Sequence, residues 1–197
     1  MSGETLCALS TCGDVQCSPA DSFGVSTPPA FKFRQIAISE RHACGIKDDQ
    51  TIACWGDNTY GQAVGPSGTF TMVACGNAHT CAISTTGSMA CWGNGSVAGD
   101  GGYGQATPPS GSFKYVAAGF FHTCGILDDD TVQCWGAGTV DTCATDNNCG
   151  QSMPPTGTFL QIAAGFTNSC GVKTDGTLTC WGSNTGGRST PPADFMW

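Results

Sequence analysis

Cationic side chains are scarce in this 197-residue chain: seven lysines and arginines stand against fifteen aspartates and glutamates, for a net charge of −8. Nucleic-acid binding rests on neutralising phosphates with Lys and Arg, so this balance argues against it. No apolar run is long enough to cross a bilayer, and no segment carries helical periodicity. The polar start Met1-Ser2-Gly3-Glu4 is not a signal peptide. No serine sits in a nucleophile elbow, and no glycine-rich loop precedes a helix as a phosphate cradle would. Charged residues make up only 11% of the chain, and many of the acids (Asp48, Asp49, Asp128, Asp129, Asp130 and Asp175) fall where hairpin turns are expected. Turn aspartates cap their own backbone. Together these absences point away from an enzyme and give no reason to expect a cofactor.

Cysteine, by contrast, is abundant and ordered. Ten of the fourteen cysteines form pairs ten positions apart: Cys7/Cys17, Cys44/Cys54, Cys81/Cys91, Cys124/Cys134 and Cys170/Cys180. Between Cys44 and Cys54, a three-residue loop at Asp48-Asp49-Gln50 sets Ile46 opposite Ile52 and Cys44 opposite Cys54. Period-2 alternation then places all four on one face of an antiparallel ribbon. Directly opposed residues lie about 4.5–5.5 Å apart at Cα, which suits a disulfide. Zinc ribbons space paired ligands more closely and bring two pairs together, so metal is not expected. His42, His79 and His122 all stand two residues before the first cysteine, and Asn168 replaces them in the last unit. A histidine that repeats with the fold and accepts Asn is expected to satisfy backbone groups at a strand start.

The remainder of the unit recurs as well. A short strand precedes each pair (Gln35–Ile38, Met72–Gly76, Tyr115–Gly119, Gln161–Gly165), with small residues suited to crowding near an axis. Trp-Gly follows at 55–56, 92–93, 135–136 and 181–182, then Gly-Gln at 61–62, 104–105 and 150–151. A proline element comes next, and four residues after its last proline stands Phe33, Phe70, Phe113 or Phe159. The tryptophans are expected to pack between units, and the proline-bearing outer strand to be short or irregular. First cysteines are spaced 37, 37, 43 and 46 residues apart. Periods near 40 with about four short strands are the mark of propeller blades. The expected fold is therefore an all-β propeller, or propeller segment, over 1–197. It holds about five stapled blades (roughly 1–34, 35–70, 71–113, 114–158 and 159–197), the first incomplete.

The stretch Ala-Ala-Gly-Phe-Phe-His-Thr-Cys-Gly-Ile-Leu-Asp-Asp-Asp-Thr-Val-Gln-Cys-Trp-Gly (117–136), with Gly150-Gln151 beyond it, resembles the repeat of the regulator-of-chromosome-condensation superfamily. The proline linkers look most like the beta-lactamase inhibitor protein II branch. The paired cysteines are similar to the extracellular propellers of Crinkly-type receptor kinases. The resemblance runs from Cys7 onward and implies the fold. It leaves function open among exchange factors, inhibitors, photoreceptors and receptor ectodomains. Such relatives commonly have seven blades, whereas five are visible here, and the first unit has Ser18-Pro19 in place of Trp-Gly.

By register, Met1–Leu6 align with Ile38–Ala43, and Phe195-Met196-Trp197 fall where a further inner strand would start. The expectation is a piece of a longer array or a protomer that joins copies of itself through its ends. Disulfide density implies a secreted or cell-surface protein. Cys143 and Cys149 are expected to pair within the insertion 136–150; Cys12 and Cys75 are expected to stay apart, Cys75 buried and Cys12 free or bonded to a neighbouring chain. The irregular loops 94–103 and 137–148 are the candidate contact surfaces, through Asn94, Asp100, Tyr103, Asp141, Asp146 and Asn147; Asn94-Gly95-Ser96 is also a glycosylation sequon. The leading functional expectation is a non-enzymatic extracellular assembly subunit that associates with other protein chains. The alternative is a propeller that binds a protein or glycan ligand.

Overall fold

A computed structural model describes residues 5–95, 102–140 and 149–192. The chain forms one two-stranded and four three-stranded antiparallel sheets among these residues. β1 (Leu6–Leu9) pairs with β2 (Val15–Ser18). The next sheet comprises β3 (Phe33–Ile38), β4 (His42–Lys47) and β5 (Ile52–Gly56); it is followed by β6 (Phe70–Cys75), β7 (His79–Ser84) and β8 (Met89–Gly93). Then come β9 (Phe113–Ala118), β10 (His122–Leu127) and β11 (Val132–Gly136), and finally β12 (Phe159–Ala164), β13 (Asn168–Lys173) and β14 (Leu178–Gly182). Within each full sheet the middle strand is second in sequence. The first strands β3, β6, β9 and β12 pack on one another from sheet to sheet, and the middle strands β4, β7 and β10 pack on the first strand of the sheet that follows. That is the layering of propeller blades around an axis. No fourth, outer strand forms among the described residues; the proline linkers close each blade as irregular chain.

The staples sit in the register set by the sequence. Cys7, Cys44, Cys81, Cys124 and Cys170 lie opposite Cys17, Cys54, Cys91, Cys134 and Cys180, and all five pairs are disulfides. Turn chemistry holds the register beside them. Asp49, Asp129 and Asp175 each accept from the backbone N–H and hydroxyl of the threonine two residues on (Thr51, Thr131, Thr177) at 2.6–3.0 Å. These carboxyls are held below the ordinary range, first by the Thr hydroxyl and then by its N–H.

Each blade opens on a buried phenylalanine: Phe33, Phe70, Phe113 and Phe159 are at most 3% exposed. The rings of Phe33, Phe113 and Phe159 lie against the middle strand, where Gly45, Gly125 and Gly171 leave them room; a Cβ there would come within 2.3–2.7 Å of the ring. Three of these rings also meet the blade's tryptophan, Phe33–Trp55 at 5.6 Å, Phe113–Trp135 at 6.0 Å and Phe159–Trp181 at 6.1 Å. The glycine after each tryptophan has φ between +92° and +99°. A side chain there would drive its Cβ to 2.6–2.7 Å from a backbone carbonyl of the loop before the middle strand. The Trp-Gly pair therefore combines an indole that packs inward with a backbone turn only glycine makes without strain.

Replacing Cys81 and Cys91 together with alanine releases a short loop in the unfolded chain and is expected to cost about 2–3 kcal/mol. Urea titration of the variant against the parent measures it.

Candidate interaction surfaces

Neighbouring blades are joined by a repeated chain of hydrogen bonds. The Trp Nε1–H donates to a linker carbonyl of the preceding unit: Trp55 to Val25, Trp92 to Gln62, Trp135 to Gln105 and Trp181 to Gln151, at 2.7–2.9 Å. The three glutamine carbonyls also accept from Thr80, Thr123 and Ser169 hydroxyls at 3.0–3.4 Å. Each of those hydroxyls has spent its one proton on a carbonyl. It must therefore accept from the histidine Nε2 that meets it: His42 to Thr80 at 2.7 Å, His79 to Thr123 at 2.9 Å and His122 to Ser169 at 2.7 Å. The imidazoles are thereby fixed as neutral Nε2–H tautomers. Desolvation by burial holds His42 down at about 4, His79 at about 3 and His122 at about 4.

This corrects the sequence expectation for the histidines. They do not serve their own strand's backbone; they bond across to the next blade. The signal was present: the residue after each histidine position reads Ala43, Thr80, Thr123, Ser169, and the hydroxyl is lacking only at Ala43, where the preceding unit has Thr5 in the histidine's place. The glutamine side chains close the linkers, buried at 0–1%. Their Oε1 atoms accept from the N–H of Tyr60, Tyr103 and Cys149 at 2.7–2.8 Å.

Asn94 was read as a surface-loop residue and glycan acceptor, but the structure places it inside. It is 8% exposed, and its Oδ1 accepts from Gln105 Nε2 at 2.8 Å. Asp100, Asp141, Asp146 and Asn147 lie outside the described residues, as does Cys143; Cys149 is disulfide-bonded. Cys12 is a free, exposed thiol. Cys75, expected to be buried, is free and half-buried between two blades; its Sγ donates to Ala37 O at 3.4 Å, and burial pushes its thiol up to about 12. His42, Cys44 and Cys75 bring ligand-type atoms within 4.8 Å of one another. The Cys44 sulfur is held in its disulfide and His42 Nε2 by Thr80, so the trio has no ligand set to offer a metal.

What sequence reading missed is aromatic. Phe120 and Phe166 occupy the same position in successive blades, in the turn between first and middle strands, where the earlier blades have Glu40 and Asn77. Their rings stand 4.2 Å apart, joined by Phe121 at 4.5 Å from Phe120 and by Tyr103 at 5.4 Å from Phe121. Phe166 and Tyr103 remain 46% and 49% exposed. A shallow cavity of about 180 Å³ opens beside Phe120 and Phe166, reaching across to Glu40 and Asn77. The loops following Trp-Gly dock on this same side: Asn94 N donates to Ala78 O and Ala137 N to Phe121 O, both at 2.8 Å. One face of the arc thus carries the first residues after Trp-Gly, Asn94 and Ala137, and a partly exposed aromatic cluster. Among the described residues, Glu40 is the one acidic side chain lining the cavity beside it.

The sequence matches the regulator of chromosome condensation (RCC1) repeat over residues 33–62, 113–151 and 159–188, together half of the chain. No curated protein matches it. Among solved structures, the ectodomain of the Physcomitrella patens receptor kinase CR4 is similar at a TM-score of 0.74 and 22% identity over 92% of this chain. The CRINKLY ectodomain of the Arabidopsis thaliana receptor kinase ACR4 gives 0.73 and 23% over 92%. Yeast RCC1 (Prp20), solved bound to Kap60, gives 0.70 and 16% over 92%. The chain spans 50%, 64% and 54% of those three, so the likeness is one of fold over part of their length.

The histidine links give the fold an acid sensitivity. Their folded pKa values lie below the unfolded 6.5, so the unfolded chain takes up protons first as pH falls. Stability is therefore full above pH 6.5 and declines through the window from 6.5 to about 4. Each proton steepens the fall by about 1.4 kcal/mol per pH unit. In His79→Asn, the slope of urea-measured stability between pH 6 and 4.5 is expected to drop by about one third.

Proposed function

For a chain that belongs to the regulator of chromosome condensation (RCC1) repeat family, we propose the role of an extracellular protein-binding propeller segment that works by association with other protein chains. The observation that carries this is the cluster of Tyr103, Phe120, Phe121 and Phe166, whose outer rings Tyr103 and Phe166 are about half exposed. Large aromatics near the centre of a surface are the usual anchors of protein interfaces. Contiguous exposed apolar rings are costly unless something covers them. The three histidines, meanwhile, are spent between blades and Asp49, Asp129 and Asp175 in turns. Five staples in a glycine-rich chain favour an oxidising compartment, hence secretion or the cell surface. The scarcity of cations sets chromatin aside as a target.

The test is a binding comparison on this face. Phe120→Ser/Phe166→Ser keeps the buried frame intact and is expected to weaken retention of a secreted protein partner by tenfold or more, with thermal stability within a few degrees of the parent. A glycan array read with both proteins decides the class: a defined sugar bound by the parent and lost in the variant would make this a lectin.

A further inference from the structure

The turn between first and middle strands occurs in each of the four full blades, and its second residue reads Glu40, Asn77, Phe120 and Phe166 in chain order. All four line the cavity of about 180 Å³. Its walls are therefore of two kinds, polar side chains from two blades and aromatic rings from the other two, with the ring centroids 4.2 Å apart. Among the described residues, no lysine, arginine or histidine lines it. Glu40 is exposed and takes no part in the ion pairs among those residues. The neighbouring Arg41 is engaged elsewhere, with Asp57 at 2.9 Å and over the Phe23 ring at 4.8 Å.

The floor carries the same sign. The first residue of the turn is Ser39 in the earliest of these blades, where its Oγ stands 3.0 Å from His42 Nδ1. Gly76 and Gly119 take that place in the next two blades, and both line the cavity. A Cβ on Gly76 would lie 2.5 Å from His79 Nδ1, and one on Gly119 would lie 2.7 Å from His122 Nδ1, so the two imidazole edges stand directly behind these glycines. Nε2 holds the proton in both rings, which leaves each Nδ1 a lone pair, and neither has a hydrogen-bond partner among the described residues. Two buried imidazole dipoles thus point their negative ends at the glycine floor.

Resting on the reading of the aromatic face as a protein-binding surface, we propose that this cavity seats one arginine side chain of the partner protein. A guanidinium is flat: its face stacks on aromatic rings while its edge N–H groups reach a carboxylate. Phe120 and Phe166 supply the first surface and Glu40 the second. An anionic anchor would meet Glu40, two lone-pair dipoles and a chain of net charge −8, with no cation to receive it. An apolar anchor would desolvate the Glu40 carboxylate without pairing it. The volume, about 180 Å³, lies below the roughly 300–1,000 Å³ of sites that enclose a free small molecule, and it suits a single side chain.

The probe is the peptide acetyl-Gly-Arg-Gly-amide, titrated against the intact chain and followed by NMR at the backbone amides of Gly76, Gly119 and Gly165. A saturable shift with a Kd of about 1–10 mM is expected. The citrulline peptide keeps the shape without the charge and should bind about tenfold more weakly; the lysine peptide has no plane to stack and should bind about threefold more weakly. Glu40→Gln, at an exposed position, should weaken the arginine peptide about threefold. Phe120→Leu/Phe166→Leu keeps apolar bulk, removes the aromatic faces and should weaken it about tenfold. Equal binding of the citrulline or lysine peptide, full-strength binding by either variant, or no shift at about 50 mM peptide would each overturn the arginine seat. Any of these leaves the aromatic-face reading standing, because Phe120→Ser/Phe166→Ser is scored on retention of a protein partner and not on this probe.

Discussion

Everything in this arc hangs on a hydrogen-bond relay between blades. Imidazole, hydroxyl, carbonyl and indole meet in sequence, each from a different strand or linker, and three of the four are fully or nearly fully buried. Such groups cost about 1–3 kcal/mol apiece if left without partners, but return only about 0.5–1.5 kcal/mol each when paired. Their value is therefore less in net stability than in specification. A blade shifted against its neighbour by one residue would strand a histidine, a hydroxyl and an indole at once. The apolar contacts among phenylalanines, tryptophans and disulfides supply the bulk of the burial, and the relay sets the single alignment in which that burial occurs.

The relay also commits the groups best suited to chemistry among the described residues. A histidine whose Nε2–H is committed to a hydroxyl and whose charge is suppressed by burial is no base for a substrate. The Cys75 thiol, raised by desolvation, is no nucleophile at neutral pH. Among the described residues, the feature that the frame does not account for is apolar: the four rings of Tyr103, Phe120, Phe121 and Phe166.

The hairpins, their pairing and the blade count were legible in the sequence because a disulfide imposes a sharp geometric rule: ten residues, three in the turn, opposed sulfurs. The buried phenylalanines and the indoles were legible as periodic features. The histidines were seen but misassigned, since their partners lie 38–47 residues away in the next unit, and a scan within one unit cannot pair them. Asn94 was misplaced for a related reason: a sequon in an irregular stretch looks exposed until Gln105 is seen to reach back for its amide. The aromatic cluster escaped notice because Phe120 and Phe166 break the repeat, and periodicity highlights only what conforms to it.

The carbonyl and the indole that it receives are always thirty residues apart, from Val25 to Trp55 as from Gln151 to Trp181, although the unit itself varies from 37 to 46. All the length variation is thus confined between Trp-Gly and Gly-Gln, on the far side of the two anchors. Chain can be added or removed there without altering the spacing on which any blade depends. The scaffold behaves as a rack with fixed slots and interchangeable inserts. Residues 94–103 and 137–149 are the places where a new specificity could be written while the frame stays the same.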